Sequence, residues 1–232
     1  MSKFTNRTAA HGVAALVICC FAATAQAQSG SQEMSFFVTS VGKGDGANLG
    51  GLDGADAHCN ALASAAGASK TFAAYLSTSM TIDRGTDPMT ITNGTSARDR
   101  IGSGPWYNAK GELIANDIDD LHSDSVNINL QTALDEIGNP VNGRGSQPNK
   151  HDILTGSDSA GHFSTAGGDT TCSNWTSNGE DGSAIVGHHD RVGLNDARNM
   201  MSWNSSHGSR GCGEEHLPRS GGAGLFYCFA TD

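Results

Sequence analysis

The sequence predicts a loop-rich α+β domain held by disulfides, on three observations. A β-rich run, a helix-period run and a second β-rich run follow one another between residues 34 and 78. The 31 glycines are spread through the 232 residues with no G-x-y period. The cysteines beyond the N-terminal segment, Cys59, Cys172, Cys212 and Cys228, are even in number.

The first 27 residues read as an export signal. Lys3 and Arg7 give a positive start, Gly12 to Ala23 is an apolar run too short to span a bilayer, and Ala25-Gln26-Ala27 is a small-x-small cleavage site. Cleavage near Ala27 leaves 205 residues: a short linker over 28–33 and one domain over 34–232. The predicted destination is outside the cytoplasm, periplasmic or extracellular. No later segment is apolar enough to be a transmembrane span.

"MSFFVTS" at 34–40 is apolar and β-rich and is bounded by "GKGDG", so it reads as a strand. In "LDGADAHCNALASAAG", Leu52, Ala55, Cys59, Leu62, Ala63 and Ala66 recur at helical spacing, with Asp53 as the expected N-cap and Gly67 as the stop. The alanine-lined side of that helix suits close approach to a sheet. "TFAAYLST" at 71–78 reads as the next strand. "WYNAKGELIA" and "ALDEIGNPVNG" read as hairpins around Ala-Lys-Gly and Ile-Gly-Asn. After residue 150 glycine, serine, asparagine and aspartate dominate until Leu225 to Phe229, an apolar run that reads as a buried terminal strand.

The formal charge of −10 becomes −12 once Lys3 and Arg7 are removed, and no basic run remains. This excludes nucleic acid and anionic lipid as expected partners. In an oxidising compartment the four remaining cysteines make two disulfides, and spacing alone leaves three pairings open. No C-x-x-C is present, which disfavours a zinc ribbon or a thioredoxin-like redox pair.

"GLDGADAHCNALASAAG" followed by "KTFAAYLSTS", and then "NAKGELI", "LTGSDSAGH", "TTCSNWTS" and "GLFYCFATD" in that order, resemble the endostatin domain of collagen. "FFVTS", "NLGGLDGADAHC" and the Cys-x-Asn-Trp-Thr string are similar to bacterial C-type-lectin-like surface proteins. The resemblance covers residues 34 to 232. It implies a C-type-lectin-like, endostatin-like fold: antiparallel sheets, two flanking helices and long irregular loops. It also implies the pairing Cys59 to Cys228 and Cys172 to Cys212, and it makes Trp175 a core residue.

Calcium-dependent lectins gather carboxylate and amide oxygens, because a hard cation wants six to eight of them. Against that family pattern, "NWTSNGEDG" and "SWNSSHGSRGC" make Asn178, Glu180, Asp181 and Asn204 the matching ligand-binding residues, with Glu180, Asp181 and Asn204 the candidate calcium ligands. Two departures shorten the set: Asp181 stands where the family has a proline, and Ser205 where it has an aspartate. Gln147-Pro148-Asn149 lies outside the matching block and reads as a turn leading into a strand. "DIDDLHSD" at 117–124 lacks the glycine and glutamate of an EF-hand and reads as an acidic loop or helix start.

His151, His162, His188, His189, His207 and His216, with Asp152 and Asp190, are a possible zinc set, "HHD" at 188–190 being its best seed. They show no helix-based ligand spacing, and the endostatin zinc site does not carry over, since "QSGSQEMSFF" has no histidine. Surface histidines without metal are the expectation. Serine, histidine and aspartate abound, but no G-x-S-x-G elbow or comparable signature accompanies them. Trp106, Trp175 and Trp203 are the residues able to stack on sugar faces.

The expected function is that of a secreted non-enzymatic binding module presenting residues 174–211 to a glycan or extracellular protein. Two other classes share the fold that the resemblance implies. One is an enzyme like the formylglycine-generating oxidases, which use further cysteines for copper. The other is a structural adhesion protein with no small ligand.

Overall fold

The computed structural model describes residue 1, residues 33–165 and residues 168–232. The export signal expected over 1–27 and the linker expected to follow it therefore lie outside the described residues, apart from Met1 and residue 33. The described residues from 33 onward form one compact unit.

Ten strands are present in the described chain: β1 (Phe36–Val38), β2 (Phe72–Ala74), β3 (Thr81–Asp83), β4 (Thr90–Thr92), β5 (Trp106–Tyr107), β6 (Leu113–Ala115), β7 (Asp152–Leu154), β8 (Ile185–His188), β9 (His207–Gly208) and β10 (Gly222–Ala230). The main sheet runs β1-β10-β7-β8-β9, with β2 also paired to β10. β3–β4 and β5–β6 are separate two-stranded hairpins. All pairings are antiparallel except β10 with β7, which is parallel.

The last strand explains its own composition. Along β10, Phe226, Cys228 and Ala230 point into one core cluster, and Leu225, Tyr227 and Phe229 into another. Successive side chains on a strand face opposite sides, so a strand covered on both faces is apolar throughout. The first cluster lies under helix α1 (Gly51–Ala65), which contributes Ala55, Cys59 and Ala63. The second contains Phe36, Tyr75, Trp106 and Trp203 around Phe229.

α1 starts from Gly50 in left-handed conformation with no side-chain cap, so Asp53 lies in its first turn instead of capping it. Gly67 follows the C-terminus at φ +85°, the conformation that glycine adopts without steric cost. Of the two expected flanking helices, only α1 is long among the described residues. The other helical pieces are single turns: α2 (Ile118–Leu121), capped by the Asp117 side chain, and α3 (Cys172–Trp175). The acidic stretch at 117–124 is thus a helix start. The hairpin expected at 133–143 reduces to one bridge, Leu134 with Pro140, because the Asp135 carboxylate accepts the amides of Ile137 and Asn139.

α3 is a left-handed turn: Cys172, Ser173, Asn174 and Trp175 all have φ between 49° and 66°. A left-handed non-glycine residue costs about 1–2 kcal/mol, so such a run must be held from outside. Asp169 accepts the amides of Thr171 and Ser173, Trp175 Nε1 donates to the Ser77 carbonyl at 2.7 Å, and Cys172 is bridged to Cys212. The other bridge is Cys59–Cys228. Both pairs agree with those implied by the family resemblance. In the chain-entropy model, loops of 40 and 169 residues correspond to about 4 and 5 kcal/mol respectively. No helix among the described residues is long and apolar enough to cross a membrane.

Candidate metal centre

Of the residues expected to bind ligand, Asn178, Glu180 and Asn204 each have partners of their own. Asn178 donates to Asp45, and Glu180 lies 4.0 Å from His216 and 3.9 Å from Arg219. Asp181 is exposed. Asn204 is buried; its amide donates to Tyr75 Oη and to the carbonyls of Asp158 and Ser159, and its oxygen accepts from Ser202. Asn204 is therefore committed to the core. Trp106, Trp175 and Trp203 are buried as well, so none of these three rings offers a face to a sugar.

The histidines are arranged differently from expectation. Three of the six converge, and the register of the sheet is the reason. Asp152 on β7 stands opposite His188 on β8, and His207 on β9 stands opposite Val186, two residues from His188 on the same face. His151 enters just before β7, where its ring fills the space over Gly221. A Cβ at Gly221 would lie 2.8 Å from that ring, and φ there is +113°. Close approach at Gly187 fixes β8: a Cβ at that position would fall 1.8 Å from the Trp203 carbonyl oxygen.

The donor atoms of His151, Asp152 and His188 all lie within 4.8 Å of one another, the one such group among the described residues, and all three residues are buried. Asp152 Oδ1 is 3.1 Å from His151 Nε2, 3.3 Å from His188 Nε2 and 3.6 Å from His207 Nε2. His188 and His207 face each other Nε2 to Nε2 at 3.0 Å. Ligands about 2.0–2.1 Å from a tetrahedral zinc ion are separated by roughly 3.4 Å, so these four separations, 3.0 to 3.6 Å, bracket the value a zinc ion would need. Although the nitrogens are close, neither oxygen of Asp152 forms a hydrogen bond of proper geometry. Buried polar groups are nearly always hydrogen-bonded, so a carboxylate in this state is in search of a partner.

The outer hydrogen bonds set the tautomers. His188 Nδ1 lies 2.7 Å from the Met200 carbonyl, His207 Nδ1 3.1 Å from the Gly208 carbonyl, and His151 Nδ1 3.4 Å from Asp190 Oδ1. Each Nδ1–H is thereby directed to an oxygen outside, which leaves each Nε2 without a proton on the Asp152 side, while the His151 and His188 rings stack with centroids 4.3 Å apart and 16° between their planes. Burial pushes the Asp190 carboxyl up, but hydrogen bonds from His151 and from the amides of Arg144 and Val192 outweigh it and hold its pKa down at about 2. Asp190 is thus an anion behind His151. The remaining histidines take no part: His189 contacts the Asn142 carbonyl, His162 is half-exposed beside Asp158, and His216 adjoins Glu180.

The expectation of surface histidines is thus corrected for His151, His188 and His189, which are buried, His151 and His188 in a donor cluster. Spacing along the chain missed this cluster because strand pairing assembles it. The usable signal was local: "IVGHHD" ends an apolar strand in ionisable residues, and "HD" opens "ILT" in the same way. No protein-family model matches the chain, and no curated protein matches it.

Proposed function

We propose that the chain is an exported, non-enzymatic binding module of C-type-lectin-like architecture that holds a zinc ion at His151, Asp152 and His188, with His207 beside them, and presents the surrounding surface to an extracellular glycan or protein. The observation that carries the metal reading is Asp152: a buried carboxylate with three imidazole Nε2 atoms within 3.6 Å and no hydrogen bond. Imidazole nitrogens select zinc over calcium, which takes oxygen. The lectin-like reading is supported by the order of the sequence blocks, by both disulfide pairs and by the sheet that closes the two ends of the domain together through β1 and β10. The four described cysteines are all paired, so none supplies the thiol that copper-dependent oxidases of this fold use.

The test is metal content and thermal stability of the purified chain after exposure to zinc or calcium. One zinc per chain is expected, with stabilisation of about 2.7 kcal/mol at a hundredfold excess over the dissociation constant. His151→Ala/His188→Ala should lose both. Retention of calcium but not zinc would refute the assignment.

A further inference from the structure

The metal cluster does not close on itself. His151, His188 and His207 also line a cavity of about 470 Å³, whose wall includes Arg144, Arg210 and Arg219 and no aspartate or glutamate. This is unusual for a chain of formal charge −10. The side chains of Arg144 and Arg210, both exposed, make no ion pair or hydrogen bond among the described residues. Arg219 is only loosely engaged, 3.9 Å from the exposed Glu180.

We infer that this cavity is a seat for an oxyanion, a carboxylate or phosphate group of the bound ligand, which coordinates the metal from the cavity side while Arg144, Arg210 and Arg219 pair with it. The inference rests on the zinc reading above. Three guanidinium groups over a divalent ion held by one carboxylate concentrate positive potential in a concave space, where field lines focus. Guanidinium groups pair with carboxylate and phosphate through two parallel hydrogen bonds, so the same groups that attract the anion also orient it. His207 is the flexible side of the shell. It is one-third exposed where His151 and His188 are buried, and it stands farthest from Asp152, so the cavity-side position is the one a ligand oxygen reaches. Three tight protein ligands plus an exchangeable position is the arrangement of zinc sites that accept an exogenous group.

The experiment uses the whole exported chain loaded with cobalt(II), whose visible absorption reports its ligands. It is titrated separately with glucuronate, inorganic phosphate and glucose. At least one oxyanion should change the cobalt spectrum, glucose should not, and whichever acts identifies carboxylate or phosphate as the source. Arg144→Ala/Arg210→Ala, at exposed positions, should retain cobalt and weaken the oxyanion about tenfold or more. If cobalt binds and its spectrum ignores both oxyanions, or if the double variant binds them as well as wild type, the oxyanion seat is wrong and the metal centre stands. If neither cobalt nor zinc is retained, both readings fall together.

Discussion

His188 and His207 meet nitrogen to nitrogen, Nε2 to Nε2 at 3.0 Å, while the Nδ1 atoms of both are turned to backbone carbonyls. With each Nδ1 protonated, two lone pairs confront each other beside a carboxylate that has no aligned donor. A shared cation would resolve this conflict for all three groups at once.

Asp152→Asn should separate binding from folding. Loss of the anionic ligand is expected to weaken zinc at least tenfold. In EDTA the same variant should be no less stable than wild type, because the amide replaces a buried carboxylate whose desolvation costs several kcal/mol. Thermal melts of both proteins with and without EDTA check this; a loss of about 2 kcal/mol or more in EDTA contradicts it.

Asp190→Asn tests the outer hydrogen bond to His151 Nδ1. Orienting partners of this kind contribute about 10- to 100-fold in metal affinity. The expected result is a decrease in that range with an unchanged circular-dichroism spectrum, measured by competition with a chromophoric chelator. Unchanged affinity would show that His151 is oriented by packing alone.

Ser173 lies exposed in the left-handed turn at φ 56°. Ser173→Gly should raise stability by up to about 1 kcal/mol, since glycine carries no penalty there. Ser173→Ala should bring no such gain, although alanine is the better residue in an ordinary helix. Chemical denaturation of the two variants decides it, and a more stable alanine variant would overturn the account of the turn.

Acid should weaken the fold through His122. Its Nδ1 lies 2.7 Å from the Ile118 carbonyl, its Nε2 lies 2.7 Å from Tyr75 Oη, and burial holds its pKa below the ordinary value. Because the unfolded chain takes up the proton first, stability is full above about pH 6.5 and falls as pH drops below it. In EDTA, the denaturation midpoint of His122→Gln is expected to fall less between pH 7 and 5 than that of wild type. Parallel pH profiles would exclude His122 as a source of the slope.

Much of the scaffold was legible in the sequence because it is locally encoded. The helical spacing of Ala55, Cys59 and Ala63 gave α1, and the apolar runs at Phe36 and Phe226 gave the strands that α1 covers. The absence of a second long helix was not legible: α3 winds left-handed under a disulfide and a tryptophan anchor, and no right-handed periodicity reports that. The grouping of the histidines was not legible for a related reason. Asp152 meets His188 only through the pairing of β7 with β8, and His207 arrives through β9. One-dimensional spacing holds no record of which strands become neighbours.

Strand β10 bonds to β1, β2 and β7 and carries Cys228, so three parts of the sheet and one bridge depend on a segment that follows all three strands in the chain. Without residues 222–230 each apolar cluster lacks three of its buried residues, and β1 and β2 have no strand between them. The main sheet is therefore joined only when β10 is in place, whatever order the other strands form in.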